Sequence, residues 1–194
     1  MRLIGFYDYT VILTYISLFS AVTGTVLASM EHFTAAVICL MISGTCDAFD
    51  GTVARSKKNR TDDEKAFGIQ IDSLCDLVSF GVFPAMLCYF MGADGVLGIV
   101  LACLYCLCAV IRLAFFNVLE EKRQKVEEGC NKYYRGLPVT SISMLFPVVY
   151  LFRPIVGEAA FVYVLYVMLF AVAFMFVLDV QVKKFDVSKL LHHK

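Results

Sequence analysis

Six runs of about 20 mostly apolar residues follow one another along this 194-residue chain, each the length a helix needs to cross the hydrocarbon core of a bilayer. They are Tyr9–Met30, Thr34–Ala54, Ile69–Met91, Val96–Val118, Leu137–Val156 and Ala159–Leu178. No soluble chain of this size has a use for so much apolar surface. Sixty per cent of residues are apolar and 18% are charged, against roughly 25% charged in an average soluble domain, so lipid is the solvent. The expected fold is an all-α integral membrane protein in which residues 1–194 form one domain. The fifth run is interrupted by Arg153-Pro154, which places Arg153 near an interface. Only one basic residue precedes the first run, and no small-residue cleavage site follows it, so that run is expected to be the first helix rather than a signal peptide.

Basic residues set the orientation. With six spans, Arg2, the group Arg55 to Lys65, Arg112, the group Lys122 to Arg135 and the tail from Lys183 to Lys194 all fall on one side, and of the 17 lysines and arginines only Arg153 falls on the other. The crowded side is therefore cytoplasmic, with both termini inside. Net charge is zero and says little about partners; the chain carries no nucleic-acid motif and no repeat. Of eight cysteines only Cys130 lies outside a span, which suits a reduced or lipid-buried setting. Cys103, Cys106 and Cys108 have no histidine or carboxylate nearby in sequence and read as packing residues. His192 and His193 read as part of a solvated basic tail, and the charged stretch Leu119 to Lys132 as a solvated helix or loop.

Against this background the stretch CDAFDGTVARSKKNRTDDEKAFGIQIDSLCD, residues 46–76, is anomalous. It sets Asp47, Asp50, Asp72 and Asp76 near the cytosolic ends of spans two and three. Spacings of i, i+3 and i, i+4 put each pair on one helix face, about 4.5 and 6 Å apart along the axis. The two spans are antiparallel neighbours, so the four carboxylates converge on one pocket. Intramembrane charge is costly and usually functional, and four convergent anions need cations. Hard oxygen ligands suit Mg²⁺ or Mn²⁺, with Ca²⁺ a further choice. Two such ions about 4 Å apart would clamp a phosphate ester undergoing in-line displacement. Gly51 and Gly68 on the same faces either admit a ligand to the backbone or tighten helix packing.

The pattern Asp47-x-x-Asp50-Gly51-x-x-Ala54-Arg55 followed by Gly68-x-x-x-Asp72-x-x-x-Asp76 resembles the signature of the CDP-alcohol phosphotransferases, with all eight signature residues present. The connection Ser56 to Phe67 is longer than the family's usual one, which a polar loop tolerates cheaply. The blocks IDSLCDLVSFGVFPA (71–85), RLAFFNV (112–118) and GLPVT (136–140) are similar, in the same order, to the phosphatidylserine synthase branch. The resemblance implies six transmembrane helices around a polar, cytosol-facing cavity and a homodimer. It implies a reaction in which the phosphatidyl group of CDP-diacylglycerol passes to the hydroxyl of L-serine and CMP leaves. Asp47, Asp50, Asp72 and Asp76 would then hold the metals, with Asp76 also the general base. Gly51, Ala54, Arg55, Gly68 and Asp72 would bind CDP-diacylglycerol. For serine, whose carboxylate wants a cation, Arg112 leads, then Arg135, with Asn117 or Ser79 for the amine. Arg112 can equally snorkel to the headgroups. Two other readings compete: a sister transferase taking glycerol 3-phosphate or an inositol phosphate, and a cation transporter using the same aspartates. The clustering of the carboxylates at one end, with no second polar cluster leading outward, weighs against the transporter.

Overall fold

The structure, a computed structural model, describes residues 5–6, 9–56, 61–126, 133–135, 137–179 and 181–183. Six helical segments in it are long and apolar enough to cross a membrane: Ile12–Ser29, Phe33–Val53, Asp62–Phe90, Gly95–Glu120, Val139–Val156 and Glu158–Val177. The chain is a multi-pass, all-α membrane protein, as the apolar runs require. Helix α1 (Ile12–Ser29) follows a short 3-10 turn at Tyr9–Val11 and packs along α2 (Phe33–Ser56). The turn between them is tight enough that Glu31 takes a left-handed backbone, φ 63°.

The third span begins earlier than its apolar run. Helix α3 (Asp62–Asp76) starts seven residues before Ile69 because Thr61 and Glu64 form a capping box. Glu64 N donates to Thr61 Oγ1 at 3.2 Å, and Thr61 N donates to Glu64 Oε2 at 2.9 Å, so two otherwise orphaned amides are satisfied. Asp62, Asp63 and Glu64 in the first turn also suit the positive end of the helix dipole. After Asp76 the helix widens to π geometry over Leu77–Val82, then returns to α as α4 (Phe83–Phe90).

Helix α5 (Gly95–Val126) has 32 residues, or about 48 Å at 1.5 Å per residue, and outruns the ~30 Å hydrocarbon layer. The charged stretch after Leu119 is thus helical through Val126; residues 127–132 lie outside the described set, as do the tail histidines and Cys130. A 3-10 turn at Val139–Ser141 leads into α6 (Ile142–Leu151), which contains Pro147 and breaks at Phe152 before the short α7 (Arg153–Val156). Helix α8 (Glu158–Val177) closes the bundle against α5. A three-residue antiparallel ribbon, β1 (Tyr133–Arg135) with β2 (Gln181–Lys183), joins the segment after α5 to the segment after α8. It was not anticipated from the sequence, and it is too small to alter the all-α class.

In a bilayer, helices gain little from hiding apolar surface from one another, so close approach and buried polar bonds hold them together. Both are visible. A Cβ on Gly24 would strike the Phe83 ring and come within 2.9 Å of Cys39 Cβ, and one on Gly44 would strike Ser143. Ser43 Oγ donates to Ser17 O at 3.0 Å, and Ser17 Oγ lies 3.3 Å from both Ser43 O and Ser79 Oγ. The interior is filled by Phe80, Phe83, Tyr105, Phe146, Leu165 and Phe176, while Phe19, Val96, Leu151 and Tyr163 point outward. Arg153 lies at the break between α6 and α7. Its guanidinium makes a bidentate pair with Glu158 (3.1 and 2.9 Å) and sits 5.0 Å from the Phe33 ring centre.

Candidate metal centre

Asp47 and Asp50 project from one face of α2, and Asp72 and Asp76 from one face of α3, because each pair keeps helical spacing on an unbroken α-turn. The fold brings all four together. One carboxylate oxygen from each of Asp47, Asp50 and Asp72 lies within 4.8 Å of the other two. Asp76 adjoins this set through Asp47, with which its carboxyl is within hydrogen-bonding reach, as Asp50 is with Asp72. Asp50 and Asp76 are the most enclosed, at 9% and 8% exposure; Asp47 and Asp72 are half-buried. Helix α1 contributes Thr14, itself buried, whose hydroxyl donates to Asp50 Oδ2 at 3.4 Å. Nothing in the sequence singles out Thr14, since a lone threonine in an apolar helix usually bonds its own backbone.

The donor set fits a divalent ion. Oxygens sharing an ion at about 2.1–2.5 Å stand no more than about 4–5 Å apart, which the cluster satisfies with protein atoms already close. Among the residues whose side chains are described, no lysine or arginine makes an ion pair with any of the four. Carboxylates without softer donors select a hard cation.

The other residues singled out from the sequence are distributed as follows. Gly51 and Gly68 lie half-buried, one residue after Asp50 and one turn before Asp72. Ala54 and Arg55 sit on the last turns of α2 and Arg135 in β1, with their side chains outside the described residues. Asn117 is brought to the aspartate helix: its Oδ1 accepts from Ser73 Oγ at 2.8 Å, and Ser73 follows Asp72 directly. Ser79 is fully buried beside Ser17, in the seam between α1 and the π segment. Arg112 is buried on α5, where its Nε donates to Leu137 O at 3.1 Å. The cavity it lines, about 310 Å³ between α5 and α8, includes Phe115, Phe176 and Asp179 and none of the four aspartates.

A model of the CDP-alcohol phosphatidyltransferase family matches residues 9–179. The chain is 32% identical over 159 residues to a protein of Saccharomyces cerevisiae named CDP-diacylglycerol–serine O-phosphatidyltransferase, covering 79% of this chain and 56% of that one. It is 36% identical over 128 residues to an archaetidylserine synthase of Methanothermobacter thermautotrophicus, covering 64% and 51%. It is 33% identical over 131 residues to a Methanocaldococcus jannaschii protein with the same name as the yeast one, covering 68% and 56%. The chain thus spans about half the length of the curated relatives it matches.

Proposed function

This chain belongs to the CDP-alcohol phosphatidyltransferase family, and we propose that it transfers the phosphatidyl group of CDP-diacylglycerol to the hydroxyl of L-serine, giving phosphatidylserine and CMP. The observation that carries the reading is the convergence of Asp47, Asp50, Asp72 and Asp76 at the ends of two adjacent spans. The choice of serine is supported by the names of the three relatives, each of which specifies a serine or a serine lipid.

In this mechanism Asp47, Asp50 and Asp72 would hold the divalent metal, two ions of Mg²⁺ or Mn²⁺ with Ca²⁺ as a substitute, and Asp76 would share in holding it. When bound, the ions neutralise the diphosphate and ease departure of CMP. Asp76 is the general base: the serine hydroxyl passes its proton to the carboxylate as its oxygen bonds to the lipid-bearing phosphorus. The bond from that phosphorus to the bridging oxygen breaks, and the oxygen leaves with CMP. No covalent enzyme intermediate is needed. Thr14 limits the rotation of Asp50 by occupying its Oδ2. Gly51, Ala54 and Gly68 leave room for the cytidine and ribose, and Arg55 pairs with phosphate or a neighbouring carboxylate. Among the acceptor-site candidates Asn117 has the strongest support, because Ser73 ties it to the helix bearing Asp72 and Asp76. Arg112, Arg135 and Ser79 are retained as residues that complete the serine pocket. The protein works as one domain and as a homodimer, with the cavity and both termini on the cytosolic side, where serine is dissolved.

The test is CMP release by the purified protein from CDP-diacylglycerol with a panel of acceptors. L-Serine should support release far better than glycerol 3-phosphate or an inositol phosphate; equal or better turnover with glycerol 3-phosphate overturns the choice of acceptor. Divalent-ion flux in proteoliposomes without CMP release would replace the enzyme by a transporter.

A further inference from the structure

The mechanism uses α3 as far as Asp76, and the helix changes pitch at the very next residue. Leu77–Val82 is π-wound, and such wide turns cluster at functional sites. The α-helical partner of Phe80 O would be the amide of residue 84, which is proline and has no N–H, so this carbonyl needs a donor from outside its own helix. Helix α5 supplies one and approaches the next carbonyl as well. Tyr105, fully buried, donates its hydroxyl to Phe80 O at 2.8 Å, and Cys106 Sγ lies 3.7 Å from Gly81 O. Helix α5 can come this close because position 81 has no side chain: a Cβ there would lie 3.3 Å from Ala109 Cβ. On the opposite side the segment is met by α1 through Ser17 and Ser79.

The wide turn sets the angle between the helix before it and the helix after it. Reverting to α geometry would turn one end against the other by about 100° per residue removed. Beyond the turn, Phe83 is fully buried with its ring in the notch left by Gly24, and Pro84 follows it. That end is held by packing. The other end is the last turn of α3, which carries Asp76, so a change of pitch between the two would re-aim that carboxylate. Asp72 lies a full turn earlier, within the three-carboxylate set, and Asp76 meets that set by a hydrogen bond to Asp47. We propose that Tyr105 is a positioning residue for Asp76: by holding Phe80 O it maintains the wide turn that aims the base, while Asp47, Asp50 and Asp72 are placed independently of it. This inference rests on the phosphatidyl-transfer reading for its kinetic readout.

The test variant is Tyr105→Phe, which removes one hydroxyl and keeps the ring against Phe176, 5.3 Å between centroids. Three quantities are measured on purified protein well below its melting point: kcat for CMP release with CDP-diacylglycerol and L-serine, the rise in Tm on adding Mn²⁺, and hydrogen exchange over residues 77–82. The expected result is a kcat lower by roughly 10- to 100-fold, the scale on which an ångström misplacement of a reacting group acts. The Mn²⁺-induced rise in Tm should persist, and exchange should quicken at 77–82. Unchanged kcat overturns the proposal, and so does loss of kcat together with the Mn²⁺ response, which would mean general damage. If Tyr105→Phe does not fold, Cys106→Ala carries the test: a smaller fall in kcat with the Mn²⁺ response kept supports the proposal, and an unchanged kcat overturns it. A parent protein that releases no CMP refutes the transfer reading instead; unchanged exchange at 77–82 in Tyr105→Phe would still overturn the role given to Tyr105.

Discussion

Replacing Asp50 by asparagine should stabilise the metal-free protein and remove most of its response to metal. The reasoning starts from the 4.8 Å limit on the oxygens of Asp47, Asp50 and Asp72. Two unit charges at that separation repel by about 3.5 kcal/mol at an effective dielectric constant of about 20. Three carboxylates make three such pairs, and Asp50→Asn removes two of them, about 7 kcal/mol of gross repulsion. Protonation of one or more of the carboxyls and screening by water relieve most of this in the metal-free protein, leaving a net gain of about 1–2 kcal/mol, the usual yield when a site under functional strain is relieved. For a chain of this length that is a rise in Tm of about 2–8 °C. Asparagine keeps the shape and can still accept from Thr14, so packing is not at issue.

The assay is thermal unfolding in one detergent at fixed pH, with EDTA and then with excess Mg²⁺ or Mn²⁺. A parent protein holding metal at 100 times its Kd gains about 2.7 kcal/mol, or roughly 5–11 °C. The order of melting should therefore reverse: variant above parent in EDTA, parent above variant in metal. A variant that melts below the parent in EDTA and gains as much from metal would refute the claim that these carboxylates share an ion.

Asp76→Asn should lower turnover by about 10²–10⁴-fold, as expected for loss of a general base; the metal-induced rise in Tm should fall less than in Asp50→Asn, because the amide oxygen can still ligate and the other three carboxylates remain, and near-parental turnover at neutral pH would cancel the assignment. Gly44→Ala drives a methyl group into Ser143 and should cost about 1–3 kcal/mol, read as a lower Tm that Gly44→Ala/Ser143→Gly partly restores. No recovery in the double variant would mean that the α2–α6 contact is not what Gly44 serves.

The apolar runs and the four aspartates were legible because both obey simple rules. A span must be about 20 residues long whatever its partners, and a carboxylate pair at helical spacing shares a face wherever the helix lies. The start of α3 at Thr61 was also written in the sequence, as Thr-x-x-Glu, but an apolarity criterion passes over a polar first turn. The π segment was not legible. Residues 77–82 read as ordinary apolar helix, and the bonds that meet Phe80 O and Gly81 O come from Tyr105 and Cys106, some 25 positions away. Arg112 shows a related limit. Its position near a helix end is evident from the chain, whereas its bond to Leu137 O depends on how the segment before α6 returns to α5. The pairing of β1 with β2 likewise joins stretches whose own sequences carry no strand signal.

The central claim is that Asp47, Asp50, Asp72 and Asp76 form a divalent-metal site on which phosphatidyl transfer depends. Its most direct measurement is CMP release from CDP-diacylglycerol and L-serine by purified protein stripped with EDTA, then titrated with Mg²⁺ or Mn²⁺. The account predicts negligible release after stripping, saturable recovery on titration, and no recovery in an Asp47→Asn/Asp72→Asn variant at the same ion concentration. Full activity in the stripped enzyme would contradict it.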